Sequence, residues 1–294
     1  MLKFLPRALT AFALLLAPAA HAQKTSDADP ALWVVKDADT TIYLFGTVHV
    51  LKPGLSWFDE GIKAAFDKSD ELVLEMLEPD TATMQGLVMK TALNPTGPTL
   101  TEKLPADKRE AYTRALGDVG VPAAALDRFD PWFAAVTLSL AGLPKLGYDP
   151  ASGAERTLGA AAKAANKQIV GLETAEQQFG YFDSLAEPLQ IKFLVSTIDD
   201  YSKMGAELDK MVASWSAGDP EALGRVMNEA LSDTPEIAKV LLADRNTRWA
   251  EWIGKRLEKP GKVFIAVGAG HLAGAESVQA KLAKHKLTAR RVKY

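Results

Sequence analysis

The 294-residue sequence contains no cysteine. That excludes disulfides, thiolate zinc sites, iron–sulfur clusters and cysteine nucleophiles. Histidine is nearly as scarce, with only His21, His49, His271 and His285. Imidazole chemistry therefore has very few carriers. An excess of one charge is lacking too. Lys plus Arg number 34 against 37 Asp plus Glu, a formal net charge of −3, so the concentrated positive field that nucleic-acid binding requires is missing. Beyond the N-terminal segment no apolar run reaches membrane-spanning length. The remaining composition, 48% apolar and 24% charged, is that of an ordinary globular protein. A chain of this length buries a sizeable core without covalent staples.

Residues 1–22 read as a cleaved secretory signal. Lys3 and Arg7 form a positive start, Ala8 to Leu16 a short apolar stretch, and Ala20-His21-Ala22 a small-x-small cleavage site. The segment predicts export to the periplasm or beyond, with no stable membrane anchor left after cleavage. Gln23 to Pro30, polar and small, reads as a flexible leader. Residues 31–294 read as a single domain.

Leu32–Val35 and Thr41–Phe45 are β-rich runs around Lys36-Asp37-Ala38-Asp39, a hairpin pattern. Trp57 to Lys68 has helical spacing, and Leu72–Leu74 reads as a strand. An alanine-rich helix over Ala154–Ala165 leads into a strand at Gln168–Leu172. Further on come a strand at Val263–Val267, a helix at Glu276–His285 and a last strand at Leu287–Val292. Blocks of about 80–145 and 175–258 read as helices broken by prolines. Asp219-Pro220 and Thr234-Pro235 have the form of a helix N-cap followed by Pro at the first helical position. This alternation predicts an α/β fold: a mixed, largely parallel sheet, with the long helical insertions forming a cap.

Four strands end in polar residues. They run into Gly46-Thr47-Val48-His49, into Glu75, into Glu173, and into Gly268-Ala269-Gly270-His271. In a parallel sheet these ends gather on the edge where α/β folds bind ligands. A strand-Gly-x-x-His pattern thus occurs twice. A glycine there suits a turn with φ > 0, or a close approach to the backbone. Imidazole nitrogen and carboxylate oxygen suit Zn²⁺, Mn²⁺ or Co²⁺, and such an ion would activate water. Without a metal, one histidine would act as general base, oriented by a carboxylate. Each residue also has a plainer explanation. Alternation puts Glu71 and Glu75 on one solvent face, Glu173 suits a helix N-terminus, and His285 between two lysines is a solvated helix end. Arg245 and Asn246 open a helix running to Leu257. There Arg245 would bind a carboxylate, stabilise an oxyanion or form a surface salt bridge. Asp149, before Pro150, is also a plain turn former.

Together, these motifs resemble the TraB/GumN family, which includes the Tiki proteins. The resemblance rests on Gly46-Thr47-Val48-His49, Glu71 to Glu75, Gly171-Leu172-Glu173-Thr174, Asp244-Arg245-Asn246 with Trp249, and Gly268-Ala269-Gly270-His271-Leu272. It spans about residues 31–294 and extends to a wider superfamily with erythromycin esterases and haem-associated ChaN-like proteins. In this sequence Gly147-Tyr148-Asp149 stands where the family has a Gly-hydrophobe-Asp turn. The resemblance implies a metal-dependent hydrolase of a peptide or related acyl bond in an envelope substrate, with His49, Glu75 and His271 holding Mn²⁺, Co²⁺ or Zn²⁺. Glu173 would be an extra ligand or base, and Arg245 and Asn246 would stabilise developing negative charge. The esterase branch implies instead a metal-independent site with His49 as base and Glu75 as partner. The haem-associated branch implies a non-catalytic periplasmic module for haem or an envelope polymer.

Overall fold

The structure is a computed structural model that describes residues 25–231 and 234–294. The expected signal segment, with His21, lies outside the described residues.

Among the described residues, eight strands run in chain order: β1 (Ser26–Asp27), β2 (Leu32–Lys36), β3 (Thr40–Thr47), β4 (Leu55–Ser56), β5 (Glu71–Met76), β6 (Gln168–Glu173), β7 (Gly261–Gly268) and β8 (Arg290–Arg291). Six of them form one sheet in the order β6-β5-β7-β3-β2-β8. The central pairs β3–β7, β5–β7 and β5–β6 are parallel, whereas β2 lies antiparallel to β3 and β8. The expected hairpin and mixed, largely parallel sheet are both present.

Helices α1 (Glu60–Lys68), α2 (Thr81–Thr91), α3 (Leu100–Lys103), α4 (Arg109–Asp118) and α5 (Pro131–Gly142) precede β6, with α6 (Ala154–Ala164) leading into it. After β6 come α7 (Ala175–Asp183), α8 (Glu187–Asp200), α9 (Met204–Ser216), α10 (Pro220–Leu231), α11 (Pro235–Ala238) and α12 (Asp244–Leu257), and then α13 (Val278–Leu282) after β7. Among the described residues, no helix is long and apolar enough to cross a membrane.

Strand alternation decides which layer each side chain enters. In β7, Phe264 and Ala266 join Phe45, Phe66, Leu72 and Leu158 on one face. Val263, Ile265 and Val267 join Val73, Trp249, Ile253 and Leu282 on the other. Helix α12 covers that second face. The parity that sends Val73 toward α12 sends Glu71 and Glu75 there as well. Arg256 Nε donates to Glu71 at 3.2 Å and Arg245 Nη2 to Glu75 at 2.6 Å. The two arginines lie about three helical turns apart, so one stripe of α12 matches one face of β5. The alternation of Glu71 and Glu75 is therefore real, but the face it selects is covered rather than solvated.

The two helical blocks pack on each other and both reach the cavity at the sheet edge, with α5 from the first and α9 from the second. Residues of α3, α4, α5 and α8 share their own core around Leu100, Tyr112, Leu116, Leu138 and Leu194. Helix α9 also returns to the sheet, where Trp215 is buried and its Nε1 donates to Gly46 O at 2.7 Å.

Several local expectations change. Ser26 and Asp27 of the expected flexible leader pair with Leu55 and Ser56, and Ala28 is buried, because apolar Ala28 and Pro30 find cover that a polar tract would not seek. The last strand shortens to the Arg290–Arg291 pairing with Trp33 and Val34, since Leu287 and Ala289 pack into the α12-side core instead. The Asp219 carboxylate caps α10, accepting from the N–H groups of Glu221 and Ala222. Thr234 precedes Pro235 at the start of α11 but makes no side-chain cap.

Candidate functional site

The C-terminal ends of β3, β5 and β7 bring Thr47, His49, Glu75, Gly268 and His271 to one cavity of about 460 Å³, which Arg245 also lines. Both Gly-x-x-His motifs meet here. Neither Gly46 nor Gly268 has a positive φ, so the turn geometry does not require glycine. Space does. A Cβ on Gly46 would sit 2.9 Å from Ala269 Cα, and one on Gly268 would sit 3.1 Å from Glu75 Oε1 and 3.7 Å from His49 Nε2.

His49 is exposed over 69% of its side chain. Its Nδ1 lies 2.6 Å from Glu155 Oε1, so Nδ1–H donates and Nε2 faces the cavity. Thr47 Oγ1 donates to the same carboxylate oxygen at 2.5 Å. The hydrogen bond to Glu155 is the main reason the His49 pKa is raised to about 9. Partial loss of hydration among the surrounding cavity groups opposes that rise, and the charges of Glu155 and Glu75 add to it. Burial would raise the Glu155 carboxyl, but the bond and charge of His49 and the Thr47 hydroxyl pull it below its ordinary value. Sequence reasoning missed Glu155, which lies in the first turn of α6. The partner expected for His49 was Glu75. The only local signal for Glu155 is its place just after Gly153, where a Cβ would lie 2.2 Å from His49 O. That glycine lets α6 abut the His49 loop.

Helix α12 organises the other half of the site. Arg245 is buried, and each of a guanidinium's five N–H donors has a partner. Nε donates to Glu173, Nη1 to Leu241 O and to His271 Nε2, and Nη2 to Glu75 and Glu173. The Leu241 carbonyl comes from a π-helical turn, Lys239–Ala243, directly before α12. Such wide turns often sit at functional sites. Burial disfavours the Arg245 cation, but Glu75 and Glu173 outweigh it and raise its pKa. With every donor engaged, Arg245 has none left for a substrate carboxylate or an oxyanion, contrary to expectation. It fixes its neighbours instead.

His271 is locked just as firmly. Its Nδ1 lies 2.6 Å from Asn246 Oδ1, while Asn246 Nδ2 donates to Glu276 O at 2.7 Å. The Asn246 oxygen therefore accepts, His271 carries its proton on Nδ1, and Nε2 accepts from Arg245 at 3.0 Å. The ring also packs on Trp249, with centroids 4.3 Å apart. Burial lowers the His271 pKa to about 3, with Glu75 opposing and Arg245 adding to the effect, so the imidazole is neutral at pH 7. Burial works to raise the Glu75 pKa, but the field of His271 and Arg245 and a bond from Gly268 N at 2.6 Å override it and hold it at about 2. With His271 neutral, the charges that act on Glu75 at pH 7 are those of Arg245 and His49.

Glu173 is buried and accepts from Arg245, Tyr181 and Trp249. It anchors Arg245, and no oxygen of it is free to act as a base or extra ligand. Asp149 lies outside the site, where its carboxylate accepts from Ala151 N at 2.8 Å in a local turn. His285 is exposed at the end of a short 3₁₀ turn, as expected.

The donor set does not fit a divalent ion in this arrangement. His271 Nε2 and both Glu75 oxygens already accept hydrogen bonds, and the Arg245 cation bonds to both residues. Among the described residues, no group of three or more His, Asp or Glu could hold a metal ion. The same engagement leaves His271 without a free lone pair for haem iron.

Residues 31–291 match the TraB/PrgY/gumN family. The chain is 25% identical over 273 residues to an uncharacterized protein of Treponema pallidum (strain Nichols), covering 87% of this chain and 80% of that protein. It is 23% identical over 249 residues to the uncharacterized protein YbaP of Escherichia coli (strain K12), covering 83% and 89% respectively. No solved structure matches. The paired Gly-x-x-His turns at one sheet edge and a match over nearly the whole described chain lead to one conclusion: the chain belongs to the TraB/PrgY/gumN family.

Proposed function

We propose that this protein is an exported hydrolase that cleaves an acyl bond, ester or amide, by acid–base chemistry carried by His49 and Glu155. The observation that carries the reading is the pair itself: a carboxylate 2.6 Å from Nδ1 of an imidazole whose Nε2 faces a cavity. That is the geometry of an oriented general base. The unprotonated Nε2 would take a proton from water as the water oxygen bonds to the acyl carbon. The same nitrogen would return that proton to the leaving oxygen or nitrogen as the acyl bond breaks. Arg245, Asn246 and Glu173 would act as positioning residues, holding His271 and Glu75 against the far wall. Export is supported by the N-terminal segment, with its basic start, apolar stretch and Ala20-His21-Ala22 site.

The test is hydrolysis of a panel of p-nitrophenyl esters and p-nitroanilide peptides by the full mature chain. His49→Ala should lower kcat by roughly 10²- to 10⁴-fold. Unchanged turnover in His49→Ala would overturn the assignment.

A further inference from the structure

The cavity has two unlike sides. Its floor is the polar group of Thr47, His49, Glu75 and His271. Its walls are Leu140, Leu143, Met204, Leu208, Met211 and Met227. Met204, Leu208 and Met211 recur at the i, i+4, i+7 spacing of a single helix face, and all three are only half-buried. Trp215 is the sole fully buried residue of α9. Leu140, on α5, is 57% exposed. Leu208 and Met211 touch neighbouring core residues with part of their surface, and the α9 stripe presents the rest to the cavity.

We infer that this wall receives the aliphatic chain of an acyl group whose carbonyl lies at His49, a substrate class that rests on the hydrolase reading above. The choice between acyl chain and peptide follows from hydrogen bonding. A peptide carries N–H and C=O groups at every residue, and burying them without partners is costly. The wall offers leucine and thioether groups and, apart from Ser139, nothing to pair with them. An acyl chain has no polar group beyond its carbonyl. The cavity of about 460 Å³ holds about fifteen methylene-sized groups, each of roughly 30 Å³. Three methionines make the wall adaptable, so it should accept a range of chain lengths rather than one.

The experiment is calorimetric titration of the full mature chain with 2-alkanones from 2-hexanone to 2-dodecanone, which present a carbonyl on an alkyl chain and are not hydrolysed. Affinity should rise about fourfold per added methylene, with a negative heat-capacity change that grows with length. Leu140→Asp, at an exposed position, should weaken the longest ketone more than tenfold and leave the thermal midpoint unchanged. Affinity independent of chain length would overturn the inference. A parallel series of p-nitrophenyl esters from acetate to decanoate separates this failure from failure of the hydrolase reading. Cleavage with no gain in kcat/KM along the series upholds hydrolysis and overturns the acyl wall. Length-dependent ketone binding without cleavage of any ester upholds the wall and overturns hydrolysis.

Discussion

His49 and His271 flank the same point yet hold opposite protonation states. A Cβ on Gly268 would lie 3.7 Å from His49 Nε2 and 3.6 Å from His271 Cδ2. His49, paired with Glu155, has its pKa raised to about 9. His271, buried beside Trp249 and accepting from Arg245, has its pKa lowered to about 3. The two motifs look alike in sequence, but at neutral pH His271 is held neutral and His49 is held protonated, so only His49 loses a proton as pH rises toward 9.

The first prediction is a pH profile. Catalysis by the unprotonated His49 should rise with pH and level off above about 9. Glu155→Gln removes the carboxylate that raises this pKa, so the limb should move down toward the ordinary histidine value of about 6.5. Initial rates of ester hydrolysis from pH 5 to 10, for both proteins, check this. An unmoved limb would assign the titration to another group.

Arg245 should matter for stability. Arg245→Ala leaves Glu75 and Glu173 buried without their cation, a loss of about 3–5 kcal/mol. Arg245→Lys should recover only part, because an ammonium lacks the planar fork that reaches both carboxylates. Urea unfolding midpoints for the three proteins would show this order.

Acid should unfold the protein through the same cluster. The Glu75 pKa is lowered to about 2, so its contribution is present above its ordinary pKa and fades as pH falls toward 2. The His271 pKa is lowered to about 3. Below its ordinary pKa of about 6.5 the unfolded chain takes up a proton that the folded chain refuses, costing up to about 1.4 kcal/mol per pH unit. His271→Gln should be less stable at pH 7 but show a shallower decline between pH 6.5 and 3. Thermal midpoints across that window would decide.

Metal removal should leave activity in place. Every oxygen and nitrogen expected to bind an ion already accepts a hydrogen bond, except at His49. Dialysis against a chelator should therefore leave turnover unchanged, and elemental analysis should find less than one Mn, Co or Zn per chain. Loss of activity with recovery on adding Mn²⁺ would show that Arg245 yields its place to a metal.

Gly153→Ala probes how α6 delivers Glu155. The added Cβ would meet His49 O at 2.2 Å, so helix and loop must separate, at a cost of roughly 1–3 kcal/mol. The pH limb should fall along with stability, since the His49–Glu155 bond lengthens as the helix withdraws.

Sequence alone specified the hairpin, the four parallel strands and the polar residues at their ends, because strand alternation and turn residues are local properties. It also identified His49, Glu75, Glu173, Arg245, Asn246 and His271, which the fold gathers in one place. It did not reveal which of their donors and acceptors remain open. Glu155 is distant in the chain from His49 and carries no motif. It becomes the partner only because α6 docks against the His49 loop. Arg245 read as an oxyanion group until all of its N–H donors proved engaged. A residue's type is written in the sequence, but whether its lone pair or proton is free depends on what packs against it, and that was decided by the tertiary structure.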